Sequence, residues 1–347
     1  MVNANKSVVM LQYPAGSIAA GVHVGIQNKE LNTNLSEGDI LLRNLYVSID
    51  PYLRGRMDGV KDHYVPSFEL NATFDSHGIS EVIETKNEKF PVGTLVMGPY
   101  TRWEEHSVLN SGATQTLTSL PAEIRNSKVP LSAYLGVLGT PGLTAYGSLT
   151  NVAKLKAGET IYISSAFGAV GQLVGQMAKL KGLRVVGSVS SDDKVDYLLK
   201  QANLDAAFNY KKGNIVDSLR ADAPEGIDIY YDNVGGEALE AALEVLKPFG
   251  RIIACGMVSG YDTKETYHVK NLSQIIGKRL NIQGILVFDY YQEIFKQFTE
   301  DVTQWYLNGD IVYKEDITDG LDNAPEAFVG LFSGKTFGKA VLKIADL

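Results

Sequence analysis

One stretch of this chain, from Thr160 to Lys181, restricts the possible folds more than any other. It begins with a short apolar run, Thr160 to Ile163, which contains β-branched residues and is too short for a helix. A turn containing two glycines follows, and the apolar spacing after the turn is that of a helix. A strand, a tight turn and a helix in this order bring backbone amides and the positive end of a helix dipole together, where a pyrophosphate binds. The stretch therefore predicts a nicotinamide dinucleotide site on the turn, formed by Ser165, Gly168, Ala169, Val170 and Gly171.

The turn by itself is a degenerate motif, because Ser165 stands where the strict G-x-G-x-x-G pattern has its first glycine. A glycine-rich packing contact without a ligand is the alternative interpretation. The surroundings favour the binding site, since strands such as 184–189 and 227–231 alternate with helix-like segments from about residue 130 onwards. This alternation predicts an α/β fold with a Rossmann doubly wound parallel sheet.

The first third of the chain has a different pattern of apolar residues. Short apolar runs such as 40–47 and 78–84 are separated by turn residues, which is typical of closely spaced β-strands. A further strand is predicted over 337–344, where it can return to the first domain. We therefore expect one domain from residues 1–128 and 312–347, and a Rossmann domain from residues 129–311.

Composition and charge exclude several classes of protein. The chain has 347 residues and a formal net charge of -8, whereas nucleic-acid-binding domains usually present a basic face. Cys255 is the only cysteine, which rules out an intramolecular disulfide and a thiolate-rich zinc site. No stretch reaches the roughly 20 apolar residues that cross a bilayer, and the first residues lack the apolar core of a signal peptide. We expect a cytoplasmic protein that binds no metal, no nucleic acid and no membrane.

The residues after the second predicted strand of the Rossmann domain indicate which dinucleotide binds. NAD-binding proteins carry an acidic residue there, which binds the ribose hydroxyls. Here the strand ends at Ser190, and Lys194 follows within one helical turn. A hydroxyl and an ammonium group suit a 2′-phosphate, so the sequence favours NADPH over NADH. Asp192 and Asp193 fit as caps of the next helix, and Tyr210 is either a further phosphate contact or an ordinary surface residue.

Several short motifs together are similar to those of one enzyme family. They are DPYLR at 50–54, LGTPGLTAY at 138–146, YDNVGG at 231–236, CGM at 255–257 and NAPEAF at 323–328. With the segment from Ser165 to Gly175, they resemble the zinc-independent medium-chain dehydrogenases/reductases. Within that superfamily they are most similar to the alkenal and prostaglandin 13,14-reductases and to the plant and microbial double-bond reductases. The resemblance extends from Asn44 to the C-terminus.

This resemblance implies a GroES-like β-barrel catalytic domain that is interrupted by the Rossmann domain and completed by the C-terminal strands. It also implies NADPH-dependent reduction of the carbon–carbon double bond of α,β-unsaturated aldehydes and ketones, by hydride transfer to the β-carbon, in a homodimer. Zinc alcohol dehydrogenases of the same superfamily use cysteine, histidine and glutamate ligands, and a lobe of four cysteines, which this chain lacks. Conjugate reduction depends less on a Lewis-acid metal than alcohol oxidation does, because a hydrogen-bond donor near the carbonyl oxygen stabilises the enolate.

Three side chains are candidates for contact with the substrate. Tyr52 lies in the DPYLR turn and matches a cleft-lining tyrosine of the family, which makes it the first candidate donor; a core tyrosine is the alternative. Tyr261 follows a sheet strand and matches the family's candidate donor tyrosine. His77 stands where plant relatives carry a tyrosine, and it either donates a proton near neutral pH or is structural. This departure puts the transfer of the family's substrate specificity in question.

The resemblance also implies residues that border the cofactor at strand ends. They are Asn233, Cys255, Gly256, Val287, Phe288, and Gly338 with Lys339. Cys255 fits a small packing residue better than a nucleophile. Aromatic residues that fit apolar walls of the site, or simply the core, are Tyr64, Phe68, Tyr290 and Tyr291. The remaining histidines, which have no companions at metal-binding spacing, are His23, His63, His106 and His268.

Two other functions stay open at this point. A quinone reductase of the same superfamily would pass electrons to a ring, although the DPYLR and NVGG segments favour reduction of an alkene. A protein of a different class would bind NADPH without catalysis, as a sensor or a structural component.

Overall fold

A computed structural model describes residues 2–60, 64–289 and 291–347 of the chain. His63 and Tyr290, both considered above, lie outside the described residues. The chain forms two compact units: a first unit, Met1–Leu135 with Glu315–Leu347, and a second unit, Gly136–Lys314. Each unit is described by itself.

Antiparallel strands make up the N-terminal part of the first unit. Strands β1 (Val2–Met10) and β2 (Val24–Asn32) pair with each other. A larger sheet contains β3 (Ile40–Ser48), β4 (Asp75–Thr85), β5 (Leu95–Arg102), β6 (His106–Leu109) and β7 (Thr118–Ser119). Between β3 and β4 lies a 3₁₀ helix, Pro51–Met57, which begins at proline because the fixed φ of that residue suits a first helical position.

The second unit alternates strands and helices. Its strands are β8 (Thr160–Ser164), β9 (Arg184–Val189), β10 (Ala206–Asn209), β11 (Ile227–Asp232), β12 (Leu246–Ala254) and β13 (Asn281–Gly284). Its helices are α1 (Thr140–Gly147), α2 (Gly171–Leu180), α3 (Asp192–Lys200), α4 (Ile215–Asp222), α5 (Gly236–Val245), α6 (Gln274–Lys278) and α7 (Tyr291–Asn308).

The strands of the second unit are parallel and lie in the order β10-β9-β8-β11-β12-β13. This is the order of a Rossmann fold, so the predicted doubly wound sheet is confirmed. All residues of β8 are buried, as expected of a strand whose two faces are both covered by helices. The strand order reverses between β8 and β11, and a doubly wound sheet binds its ligand at the carboxyl ends of the strands at such a point.

The C-terminal segment completes the first unit, as the sequence predicted. It consists of β14 (Glu315–Asp319), α8 (Ala324–Phe332) and β15 (Lys339–Lys343). Strand β15 pairs parallel with β14 and antiparallel with β3, where Val341 lies opposite Ser48. The core of this unit includes Trp103, whose ring meets that of Phe328 edge-on at 6.1 Å between centroids. Residues far apart in the sequence therefore build one core.

The units divide at positions somewhat different from those expected, 128/129 and 311/312. A 3₁₀ helix, Leu131–Leu135, belongs to the first unit because Leu135 packs with Ile79 and Val341. At the second boundary, side chains of α2 bind the backbone of Val312 and Lys314, which therefore belong to the second unit. Both boundaries therefore follow side-chain contacts that local sequence patterns do not contain.

Two elements end or begin beside candidate site residues. Strand β13 ends at Gly284, and Val287 lies in a 3₁₀ turn, Val287–Asp289. Helix α2 begins at Gly171, so residues 165–170 lie in the turn. Among the described residues, no helix combines the length and the apolar character that crossing a bilayer requires.

Candidate cofactor and active site

The turn between β8 and α2 has the geometry that a close approach to a phosphate requires. Ser165 has a φ of 50°, a left-handed conformation that explains why the strict motif has glycine at this position. The amide of Gly168 donates to the carbonyl of Ser165 at 2.9 Å, which closes the turn. A Cβ on Gly171 would lie 2.3 Å from the same carbonyl oxygen, so only glycine fits there. Among the described residues no side chain caps the start of α2, where the amides of Gln172 and Leu173 donate to the carbonyls of Gly168 and Val170.

The residues predicted to hold the adenosine phosphate come together beyond β9. The side chain of Lys194 is folded back, with the residue 7% exposed, and its Nζ donates to the Ser190 hydroxyl at 3.1 Å. Asp192 is not the helix cap that we expected; its carboxylate is bound by Lys212 and by the Asn209 amide. The N-cap of α3 is instead the preceding residue, Ser191.

The negative charge of Asp192 is compensated by its neighbours. Asp192 is exposed, and the hydrogen bonds from Lys212 and Asn209 keep the pKa of its carboxyl below the ordinary value. The charge of Asp192 is therefore matched by Lys212, and the Lys194 ammonium group donates to the Ser190 hydroxyl. Tyr210 begins the 3₁₀ turn after β10 and is exposed, which leaves both earlier interpretations of it open. A 2′-phosphate fits the Ser190–Lys194 pair.

A buried polar network holds the loop after β11, at the reversal point of the sheet. The Asn233 amide side chain donates to the carbonyl of Ser164 at 2.8 Å, and its backbone amide donates to the Ser164 hydroxyl at 3.1 Å. Oδ1 of Asp232 accepts from the amides of Val234 and Gly235 at 2.9 and 2.7 Å and from the Tyr230 hydroxyl at 2.8 Å. Burial raises the pKa of the Asp232 carboxyl. The network fixes Asn233 beside the carboxyl end of β8, where the resemblance places the cofactor.

Sequence reasoning did not single out Asp232 or Ser164. The available signal was a carboxylate and a hydroxyl at the buried ends of two strands, where a polar side chain needs a partner. Gly235, with a φ of 69°, follows directly and adopts a conformation that glycine permits without strain.

The loop after β12 carries Tyr261. The Tyr261 hydroxyl accepts from the amide of Met257 at 3.2 Å, and a Cβ on Gly256 would lie 3.4 Å from it. The phenol therefore lies at the carboxyl end of the sheet beside Gly256. Burial raises the pKa of the Cys255 thiol to about 11, and the thiol contacts the buried Tyr231, as expected of a packing residue. Phe288, beyond the end of β13, is exposed.

Tyr52 and His77 belong to the first unit. Tyr52 lies in the Pro51–Met57 helix, and burial raises the pKa of its phenol far above the usual value, so the group keeps its proton. His77 lies in β4 at a bulge, and burial lowers the pKa of its imidazole. The negative charge of Asp50 acts to raise the pKa of both groups. A neutral phenol can donate a hydrogen bond.

The Lys339 side chain is buried within the first unit. The residue is 1% exposed, and its Nζ donates to the carbonyl of Ile49 at 2.7 Å and to Oδ1 of Asp50 at 2.9 Å. Its ammonium group is therefore used inside the first unit, next to the turn that carries Tyr52. Gly338 precedes it with a φ of 112°, a conformation that favours glycine.

The proposed apolar wall residues divide into two kinds. Phe68 is buried in the core of the first unit, with the Arg56 guanidinium 3.9 Å above its ring, so core packing accounts for it. Tyr64 and Tyr291 are exposed. In the described part of the chain, no group of three or more histidine, cysteine, aspartate or glutamate side chains is placed to hold a metal ion.

Comparisons with known proteins agree with this arrangement. A family model described as a zinc-binding dehydrogenase matches residues 169–304, and one described as the N-terminal domain of an oxidoreductase matches residues 6–117. A curated relative from Nicotiana tabacum, named 2-alkenal reductase (NADP(+)-dependent), is 43% identical over 345 residues, 99% of this chain and 98% of that protein. The (+)-pulegone reductase of Mentha piperita is 38% identical and covers 98% of each chain.

A solved structure is similar over almost the whole length. The crystal structure of CurA from Vibrio vulnificus in complex with NADPH has a TM-score of 0.90 and 32% sequence identity, with 99% of this chain and 100% of that chain covered. The similarity covers both units, and CurA in that crystal structure is in complex with NADPH.

Proposed function

This chain belongs to the medium-chain dehydrogenase/reductase superfamily, in the branch of the alkenal and double-bond reductases, and we propose that it reduces the carbon–carbon double bond of α,β-unsaturated aldehydes and ketones with NADPH. The observation that carries the cofactor assignment is the contact between Lys194 and Ser190 in the same unit as the Ser165–Gly171 turn. The substrate class is supported by full-length relatives that are named reductases of a 2-alkenal and of pulegone.

The described residues fit NADPH part by part. The Ser165–Gly171 turn and the start of α2, which no side chain caps, suit the pyrophosphate, because Gly171 lets the helix begin in close contact with the Ser165 carbonyl and so brings the positive end of its dipole to the turn. Ser190 and Lys194 suit the 2′-phosphate. Asn233 and Gly256 suit the nicotinamide half, since they follow the neighbouring strands β11 and β12 at the carboxyl edge of the sheet.

NADPH, when bound, supplies the hydride that adds to the β-carbon of the substrate. The protein's own task is to stabilise the negative charge that then develops on the substrate carbonyl oxygen and to allow protonation of the α-carbon. We assign the first task to the Tyr52 hydroxyl, whose raised pKa keeps it a donor rather than a phenolate. Tyr261 is the second candidate donor, and His77 is the candidate for proton transfer.

A direct assay tests the proposed reaction. The oxidation of NADPH is followed with a panel of alkenals and enones and with a quinone, and the products are identified by mass spectrometry. Saturated aldehydes or ketones two hydrogens heavier than the substrate support the proposal. Turnover of the quinone alone would assign the chain to the quinone reductases, and binding of NADPH without any turnover would assign it to non-catalytic proteins.

The assembly and the cellular location belong to the same proposal. We propose a homodimer, supported by the outermost strand of the parallel sheet: all residues of β13 are exposed, and they leave backbone groups available for pairing. The apolar side chain of Ile282 is exposed on this strand. We also propose a cytoplasmic location, since a chain with the single cysteine Cys255 requires no oxidising compartment.

A further inference from the structure

The last three residues of the second unit, Val312, Tyr313 and Lys314, are bound by the helix that follows the phosphate-binding turn. The Gln176 side chain donates to the carbonyl of Val312 and accepts from its amide, both at 2.8 Å. The Gln172 side chain does the same for Lys314, at 3.2 and 2.9 Å. Each glutamine therefore satisfies both backbone groups of one residue.

This arrangement requires a primary amide at each position. Gln172 and Gln176 are separated by one turn of α2, so they lie on the same face and meet alternate residues of an extended segment. They are 0% and 4% exposed, so a side chain that failed to pair would leave buried backbone groups unsatisfied. A carboxylate lacks the donor, and a methionine of similar volume lacks both groups.

The residue between the two bound positions reaches the turn itself. The Tyr313 hydroxyl donates to the carbonyl of Ala169 at 3.1 Å. Its ring lies against Gly136, where a Cβ would come within 2.3 Å of Cε1. The segment 312–314 thus contacts the helix at two points and the phosphate-binding turn at a third.

We propose that Gln172, Gln176 and Tyr313 are positioning residues, which hold the Ser165–Gly171 turn and the start of α2 in the geometry that binds the pyrophosphate. The proposal rests on the proposed function only in requiring that a dinucleotide binds at this turn. None of the three side chains is needed for contact with the ligand. Because coupling between two sites is reciprocal, a bound pyrophosphate also stabilises the segment 312–314.

Comparing the binding of two ligands distinguishes this positioning role from a general effect on folding. NADP⁺ contains the pyrophosphate, whereas adenosine 2′-phosphate contains the 2′-phosphate but no pyrophosphate. Binding of both is measured by titration calorimetry for the wild type, for Gln176→Met and for Tyr313→Phe. The matched control is Gln297→Met, which changes an exposed glutamine of α7.

We expect Gln176→Met to raise the Kd of NADP⁺ about tenfold, since it removes two buried hydrogen bonds to Val312 and so loosens the segment whose Tyr313 binds the turn. We expect the Kd of adenosine 2′-phosphate to change less than twofold, and the control variant to bind both ligands like the wild type. An equal loss for both ligands, or no loss for NADP⁺, would overturn the proposal. If the wild type failed to bind NADP⁺ at all, the proposed function would fall first and the positioning role with it.

A second measurement needs no variant and covers the case in which Gln176→Met does not fold. Hydrogen exchange of the wild-type amides of Val312 and Lys314 is followed with each ligand. Slower exchange with NADP⁺ than with adenosine 2′-phosphate supports the proposal. Equal exchange with the two ligands, at saturation, contradicts it.

Discussion

The ammonium group of Lys339 lies 2.9 Å from Oδ1 of Asp50, inside the first unit, although the two residues are 289 positions apart in the sequence. The same ammonium group donates to the carbonyl of Ile49, and the Ser48 hydroxyl donates to the other carboxylate oxygen of Asp50 at 2.5 Å. Asp50 directly precedes the helix that carries Tyr52. A strand at the C-terminus therefore holds the turn in which the candidate donor lies.

This ion pair leads to a prediction about stability. Lys339→Met should lower the free energy of unfolding by about 3–5 kcal/mol, because it leaves the carboxylate of Asp50 partly buried without its cation. Lys343→Met is the matched control on the same strand: its ion pairs with Asp319 and Asp346 lie at the surface, and it should cost less than about 1 kcal/mol. Urea unfolding measures both values. Similar small losses for the two variants would show that the Asp50 pair does not hold the turn.

The role proposed for Tyr52 is tested by Tyr52→Phe. Removing one hydrogen-bond donor from a developing oxyanion should lower kcat about 100-fold while the KM for NADPH stays unchanged. Tyr100→Phe, an exposed tyrosine of the same unit, should leave kcat unaltered. Steady-state kinetics with one enone measures these constants. If Tyr261→Phe caused the loss and Tyr52→Phe did not, the donor would be Tyr261.

Cofactor preference should depend on the two side chains beyond β9. Lys194→Met should raise the KM for NADPH about 10- to 100-fold, since it removes a charged hydrogen bond to the 2′-phosphate, and should leave the KM for NADH nearly unchanged. Ser190→Ala should act in the same direction with a smaller effect. Lys200→Met changes an exposed lysine at the other end of α3 and should alter neither constant. Equal effects on NADPH and NADH would rule out this phosphate site.

Stability should rise with pH because of His77. Burial, as the largest cause, lowers the pKa of its imidazole in the folded state; Lys339 also lowers it, whereas Asp50 raises it. The unfolded state, with a histidine pKa of about 6.5, therefore binds more protons below that pH. The contribution is present above pH 6.5 and is lost as the pH falls below it.

Unfolding with urea between pH 5 and pH 7.5 measures this effect. The slope of the free energy of unfolding against pH should be shallower for His77→Gln than for the wild type. His268→Gln, which changes an exposed histidine, should keep the wild-type slope. Parallel curves for the wild type and His77→Gln would mean that the imidazole is as accessible to protons in the folded state as in the unfolded one.

The proposed dimer can be tested at the exposed strand β13. Ile282→Asp places a charge on the outermost strand of the parallel sheet and should convert dimers to monomers, because like charges would meet across the paired strands. Ile317→Asp is a close control, since Ile317 is 43% exposed on the edge strand β14, compared with 44% for Ile282. Sedimentation velocity distinguishes the species. A wild-type chain that sediments as a monomer would remove the dimer from the proposal.

The second unit could be predicted from the sequence in unusual detail, because its signals are local. Strand, turn and helix follow one another within short segments, and the order of strands in a Rossmann sheet follows from their sequence. The glycines at 168 and 171 and the pair Ser190 and Lys194 lie inside such segments. The family motifs added the first unit, in which strands pair with partners far away in the sequence, such as β15 with β3, so that periodicity cannot assign the pairs.

The sequence alone thus determined the fold class and the preference for NADPH, and it singled out the strand, turn and helix that we propose as the dinucleotide site. Only the tertiary structure decided where Lys339 directs its ammonium group, which amides donate to the Asp232 carboxylate, and which segment Gln172 and Gln176 bind. The physical reason is that a buried polar side chain must find a partner wherever the folded chain offers one. For Lys339, Gln172 and Gln176 that partner lies between 136 and 289 residues away, and no local pattern identifies it.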